Sequence, residues 1–433
     1  MRRAPSIAVW FQRPGEEMPR EKTSTISQRG ATSVGLSSIV AAASGLLVLF
    51  VATRALSPQD NATFIAFWSF LFALFGLLSG VQNETTRAVR NSLQAPDADQ
   101  TGRPRALSSG LLVGALLAVA VVATSPAWAP TLFGDHAVAL VAATCFGAVA
   151  FAGHCSLAGA LSGLGRWESY SLLVGTEAAV RLGLVVVAGA PATGLLGIQV
   201  ASAVAAGIWL LLILVMPSLR TAASSRADVG LRTFAANVGR SMIASASSAT
   251  IVVGFPIALL ITSETSVYKA SAPLLLAISL TRAPLLIPLA SYQGVAITHF
   301  LENRHRGVAV LARTAGAVLA VAVVGAGLAA AAGPWIMRSV FGADYDVASA
   351  ILASLTLAAG LLAVLTLTGA AVLALGHHTA YATGWVVASV VSIGVLLLPF
   401  AIETRAITSL MAGPLVGCVV HVVCIARASV QSR

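Results

Sequence analysis

The chain has 433 residues, 57% of them hydrophobic and only 10% charged, with a formal net charge of +10. An ordinary soluble domain carries about 25% charged residues, so water is excluded as the main solvent for most of this chain. The excess of positive charge does not indicate a nucleic-acid partner, because the basic residues are scattered among short polar breaks and form neither a stripe nor a reading motif.

Residues 1–30 form a polar, basic leader carrying Arg2, Arg3, Arg13, Arg20, Lys22 and Arg29. The apolar stretch after it is longer than a signal-peptide core, so an uncleaved first helix is expected. A bilayer core about 30 Å thick takes roughly 20 apolar residues per helical crossing. Such stretches run approximately over 31–53, 62–82, 106–124, 137–162, 170–188, 194–216, 241–262, 271–298, 308–332, 348–375, 381–400 and 406–426. The expected fold is therefore all-α and membrane-embedded, with about twelve transmembrane helices.

Placing the N-terminus in the cytoplasm puts 19 basic residues on the cytoplasmic side and 4 (Arg54, Lys269, Arg338 and Arg405) on the other, the asymmetry that the positive-inside rule demands. Both termini are then cytoplasmic, in an inner (plasma) membrane.

The polar segment 217–240 divides two similar halves. Leu132-Phe133-Gly134-Asp135 precedes the fourth stretch as Val340-Phe341-Gly342-Ala343 precedes the tenth, and Gln82 matches Gln293 by the same offset of about 210 residues. An internal duplication predicts a six-helix bundle over 31–216, a cytoplasmic linker over 217–240, a second bundle over 241–426 and a tail over 427–433. Six is even, so the halves are parallel repeats around a central cavity.

Three arginines fall inside apolar stretches: Arg181, Arg282 and Arg313. Arg313 is near a cytoplasmic end and can snorkel. Glu177 and Arg181 stand four apart on one helical face, where they can pair. Ionisable groups at this depth mark a substrate or ion path, or form a neutralised structural pair. Arg282 has no acidic residue within a turn, and Pro284 and Pro288 follow it, so a kinked helix lining a cavity is expected. Asn83, Arg87 and Arg90 share one face at the end of the second stretch, either presenting cations to a cytoplasmic vestibule or forming a solvated helix end. Gly254 and Pro256 predict a bend in the seventh stretch.

The remaining reactive side chains nominate no chemistry. Cys145, Cys155, Cys418 and Cys424 lie in apolar stretches and read as packing residues. His154 and His421 lack metal-ligand companions and read as packing histidines. No Walker sequence, nucleophile elbow or cofactor motif is present, and no enzyme activity, cofactor or metal is expected.

Arg54-Ala55-Leu56-Ser57-Pro58-Gln59-Asp60, followed by Phe64, resembles the turn after the first helix in the polysaccharide and oligosaccharide flippases of the multidrug/oligosaccharidyl-lipid/polysaccharide exporter superfamily. That turn usually continues with an aromatic and a glycine, where this chain has Asn61-Ala62. Val340-Phe341-Gly342-Ala343-Asp344-Tyr345 is similar to the family's "leu-phe-gly-x-x-tyr" signature, and the resemblance spans roughly 31–426. It implies movement of a polyprenyl-pyrophosphate-linked oligosaccharide to the outer leaflet by alternating access, for cell-envelope polysaccharide synthesis. The substrate-contacting candidates are then Arg282, Arg181 and Glu177, with Arg87 and Arg90 at the cytoplasmic mouth. The implied partners are the lipid-linked saccharide, membrane lipid, and glycosyltransferases or polymerases of the same pathway. Two other readings stand beside it: a small-molecule or multidrug exporter of the same fold, which needs carboxylates and aromatics in its cavity, and a non-transporting scaffold for envelope-assembly enzymes that acts through the leader.

Overall fold

The computed structural model describes residues 28–94, 102–190, 193–285, 307–375 and 377–431, and every regular element among them is helical. In a bilayer each backbone N–H and C=O must be satisfied within its own segment, and the sequence meets that demand with long apolar helices. In the first half these are α1 (Gln28–Ala55), α2 (Pro58–Gln94), α3 (Ala106–Phe133), α4 (Ala137–Gly163) and α5 (Trp167–Ala188). α6 (Gly194–Val204) continues through one tight turn into α7 (Trp209–Val215) as a single apolar span. The short α8 (Pro217–Ser224) leads to the second half: α9 (Leu231–Val252), α10 (Phe255–Ile261), α11 (Thr265–Ala270), α12 (Ala272–Leu285), α13 (Gly307–Ile336), α14 (Ser349–Ala374), α15 (His378–Leu396) and α16 (Ile402–Gln431).

Among the described residues nine apolar stretches are long enough to cross a bilayer, or ten if the bent pair α9 and α10 is one span. The longest, Ala106–Gly163, contains α3 and α4, which fold back on one another and so make two crossings. α12 is a shorter apolar helix whose expected continuation, with Pro288 and Gln293, lies outside the described residues, as do residues 1–27 of the leader, Arg304 and Arg306; the last three leader residues already belong to α1. Counting α3 and α4 separately, the described residues hold ten crossings, or eleven if α9 and α10 form one span, with the shorter α12 besides. Large apolar side chains such as Val119, Val323 and Leu328 are exposed on the outer faces, where lipid is their solvent.

The packing partners repeat between the halves. α1 lies on α5, α3 on α4, and α4 and α5 on α6; in the same order α9 lies on α15, α13 on α14, and α14 and α15 on α16. Where the halves meet, α2 runs along α9. Gly76 and Gly80 permit that approach: a Cβ at Gly80 would lie 2.4 Å from the backbone nitrogen of Met242, and one at Gly76 would lie 2.5 Å from Ala249 Cβ.

Two boundaries differ from the sequence expectation for one reason. α2 extends to Gln94, and α9 begins at Leu231 inside the expected linker. The extra turns are polar, and they hold one another by ion pairs and hydrogen bonds in place of lipid contact.

Candidate functional site

Gly254 and Pro256 sit where the bend was expected, and α10 leaves α9 at 70°. Pro256 has no N–H to give the carbonyl of Val252, and the amides of Val253 and Gly254 both turn back to Ala249. Arg282, on α12, fills the gap: its Nη1 donates to the carbonyls of Ile251 and Val252, each at 3.1 Å. Its guanidinium carbon lies 5.4 Å from the ring centre of Phe255, within cation–π range. The side chain is buried, yet Nη2 has no partner among the described residues. Arg282 also lines a cavity of about 180 Å³ to which the first half contributes Leu49, Trp68 and Ser69, and the second half Pro256 and Ser279. The partner that the sequence left open is therefore a pair of carbonyls, and the other terminal nitrogen of the guanidinium is buried without a hydrogen-bond partner among the described residues.

Arg405 provides a comparison within the same molecule. It also caps freed carbonyls, with Nη1 donating to Thr262 and Leu396 at 2.9 and 3.0 Å, and its Nη2 is occupied by Ser263 Oγ at 3.0 Å. Arg405 uses both terminal nitrogens and leaves only Nε without a partner. Arg282 uses one.

Glu177 and Arg181 are brought together as their spacing predicts, in a buried ion pair through Glu177 Oε1 and Arg181 Nη2. Arg181 Nε also donates to the Ser202 carbonyl at 3.3 Å, and its guanidinium lies 4.8 Å from the centre of the Phe72 ring. Around them Phe75 stacks on Phe151 at 4.0 Å, and Phe151 stacks on His154 at 5.3 Å. The pair belongs to the interior of the first half and does not line the cavity that holds Arg282. Arg282 lines this cavity, and Glu177 and Arg181 are not among its lining residues.

Arg87 has partners that its helical spacing did not disclose. It is engaged on two sides, by Glu84 at 2.6 and 2.9 Å and by Asp228 at 2.9 and 3.1 Å. Asn91 and Asn237 complete the cluster by donating to Asp228 and Glu84, each at 3.1 Å. Arg87 is thus a latch between α2 and the segment that joins the halves, instead of a cation presented to a vestibule. Arg90 is exposed one turn beyond it. Beside the latch, Arg105 and Arg226 form a backbone bridge that ties the start of α3 to the same segment.

Burial pushes the Asp228 carboxyl up, but hydrogen bonds from Arg87 and Asn91 outweigh this and hold it below its ordinary value. The latch is therefore fully formed above about pH 4, the range of a free carboxylate, and weakens as pH falls through the lowered folded value. Arg87 is 40% exposed, so solvent screens the pair and its contribution is about 1 kcal/mol or less. Asp228→Asn is expected to lower the melting midpoint of purified protein at neutral pH, with the gap to the parent closing in acid. A gap independent of pH would refute the latch.

At the opposite end of the bundle, a contact that the sequence did not disclose joins the two family-like signatures. Ser57 caps α2, its hydroxyl accepting from the Asp60 amide at 3.2 Å, with Pro58 in the first turn. Asn61 Nδ2 then donates to Thr53 Oγ1 at 3.2 Å and to Tyr345 Oη at 2.9 Å. Gly342, at φ 121°, ends the turn of helix that leads to Tyr345. Asn61 is where the chain departs from the family turn, and the departure makes a bond between the halves.

No family model matches the chain. It is 38% identical over 407 residues to uncharacterized protein Rv1510 of Mycobacterium tuberculosis, covering 94% of this chain and 93% of that protein. It is likewise 38% identical over 408 residues to uncharacterized protein Rv3630 of the same organism, covering 93% of each. Among solved structures, it is similar to a multidrug resistance MATE family transporter of the MOP superfamily. The inward-facing conformation of that transporter superposes with a TM-score of 0.69 at 14% identity, covering 94% of this chain and 99% of that one. The outward-facing conformation gives 0.67 at 14% identity, covering 93% and 96%. A MOP superfamily transporter from Pyrococcus furiosus, described as having a binding pocket of reverse polarity, gives 0.57 at 13% identity, covering 92% and 96%. At such identities the shared property is the fold.

Proposed function

Because the chain belongs to one family with Rv1510 and Rv3630 and has the fold of the MATE transporters, we propose that it moves a polyprenyl-pyrophosphate-linked oligosaccharide from the cytoplasmic to the outer leaflet by alternating access. Both termini are cytoplasmic in this reading, and the membrane is the inner one. The observation that carries it is Arg282: a buried guanidinium with a free Nη2 at a cavity lined from both halves. A fixed cation at that depth attracts an anionic head group, and a guanidinium fork matches phosphate oxygens. A lateral groove of about 610 Å³ gives further support. Phe70, Leu74 and Leu117 of the first half line it, with Leu260 and Ile261 of the second, and it offers an apolar path for a carrier chain that stays in the bilayer.

An exporter of organic cations is the competing reading, favoured by the names of the structural neighbours. Such a cavity needs an available carboxylate, whereas Glu177 is neutralised by Arg181 away from the cavity. The neighbour of reverse pocket polarity supports the view that this fold accepts either sign of charge.

Purified protein in sealed vesicles is expected to carry a fluorescent polyprenyl-pyrophosphate saccharide to the inner leaflet, where a membrane-impermeant quencher cannot reach it. Protected signal equal to that of protein-free vesicles, together with efflux of cationic dyes, would replace this reading with the exporter.

A further inference from the structure

We propose that His421 is a proton-binding site in the second half, and that it passes its protonation state through α15 to α9. The proposal names the driving ion for the transport just described and rests on that reading for its use, although not for its existence.

His421 is fully buried on α16, and an oxygen faces each ring nitrogen. Nε2 lies 3.3 Å from the backbone carbonyl of Tyr381. A carbonyl only accepts, so Nε2 carries a hydrogen in either protonation state. Nδ1 lies 2.9 Å from Thr368 Oγ1, and that hydroxyl has a second acceptor, the Leu365 carbonyl, also at 2.9 Å. When the ring is neutral, Thr368 donates to the Nδ1 lone pair. When a proton arrives from water it binds Nδ1, the new N–H donates to Thr368 Oγ1, and the hydroxyl turns to Leu365. Both states are fully hydrogen-bonded, which an ordinary packing histidine does not require.

Gly384 makes room for the ring. A Cβ there would lie 2.1 Å from Nε2, so only glycine lets the imidazole approach the carbonyl ladder of α15. The Tyr381 ring stacks parallel to the imidazole at 6.3 Å. Beside it, Cys418 of α16 reaches Thr368, and Arg313 of α13 is exposed. Among the described residues His421 takes part in no ion pair.

The proton needs a way in, and its effect needs a way out. His421 lies six residues before Arg427, about 9 Å along the helix. A groove of about 500 Å³ between α15 and α16 is lined by His377, Ala380, Val420 and Arg427. His421 is buried behind it and does not line it, so a proton must pass one helix face to reach the ring. On the output side, Ser389 Oγ of α15 donates to the Ser247 carbonyl of α9 at 3.3 Å, and Tyr381 faces Ser248. α9 is the helix that packs along α2 of the first half. Protonation strengthens the pull on the Tyr381 carbonyl and so shifts α15 against the helix that joins the halves.

The test follows ¹⁵N-histidine signals of the full chain in nanodiscs between about pH 5 and 8. One imidazole, absent from the spectrum of His421→Gln, is expected to pass from singly to doubly protonated as pH falls. Thr368→Val removes the acceptor of the new N–H and is expected to lower the midpoint by about one pH unit, tenfold in proton affinity. In vesicles, His421→Gln is expected to abolish the response of saccharide-lipid transfer to an imposed pH difference. A His421 still singly protonated at about pH 5, a midpoint unmoved by Thr368→Val, or an unchanged gradient response would each overturn the proposal. If the titration stands while the parent protein moves no saccharide lipid, the transport reading fails and the proton site remains.

Discussion

Replacing Arg282 with Ala is expected to lower transfer of the lipid-linked saccharide about a hundredfold while the protein still inserts in the membrane. The estimate rests on Nη2, which offers two N–H donors to a phosphate oxygen in place of water. A hydrogen bond to a charged group is worth about 1.5–3 kcal/mol, and each 1.4 kcal/mol is a factor of ten in rate. The same change uncaps Ile251 and Val252, so some loss of stability at the bend accompanies it. Arg282→Lys separates the two effects. A lysine keeps the charge but not the planar fork, and one ammonium cannot cap both carbonyls and also reach across the cavity. Its transfer rate is expected to fall between those of the parent and Arg282→Ala, with a melting midpoint close to the parent. Full transfer by Arg282→Ala in the vesicle assay would remove the arginine from the substrate path and leave it a cap like Arg405.

What the sequence disclosed and what it hid divide along chain distance. Spans are local, so the apolar stretches gave their approximate places, and Gly254 and Pro256 gave the bend. The pairing of Glu177 with Arg181 is also local, four residues along one helix. The partners of Arg87 are different: Asp228 is 141 residues away, and helical spacing says only that Asn83, Arg87 and Arg90 share a face. Likewise Asn61 looked like a weakened signature because its partner, Tyr345, is 284 residues distant. Arg282 was legible as a deep cation in need of a partner. That its partners are carbonyls follows from Pro256 lacking an N–H, a signal present in the sequence but meaningful only once α12 is known to cross the break in α9.

The same distinction governs Arg181, for which the sequence leaves open a substrate ligand or a neutralised structural pair, and which the structure holds against Glu177. Glu177→Ala leaves a guanidinium buried against Phe72 without its carboxylate, and is expected to cost about 3 kcal/mol or more. Such a loss would show as a large drop in melting midpoint and in the amount of inserted protein. Removing both charges in Glu177→Leu with Arg181→Met keeps the volume and creates no orphan, so stability is expected to return to the parental value or above it. Transport by this double variant then decides the role. Arg181 lies outside the cavity that holds Arg282, so transfer close to the parental rate is expected. A stable double variant that moves no substrate would place Arg181 on the path, and the cavity described around Arg282 would then be one station of a longer cationic route through the first half.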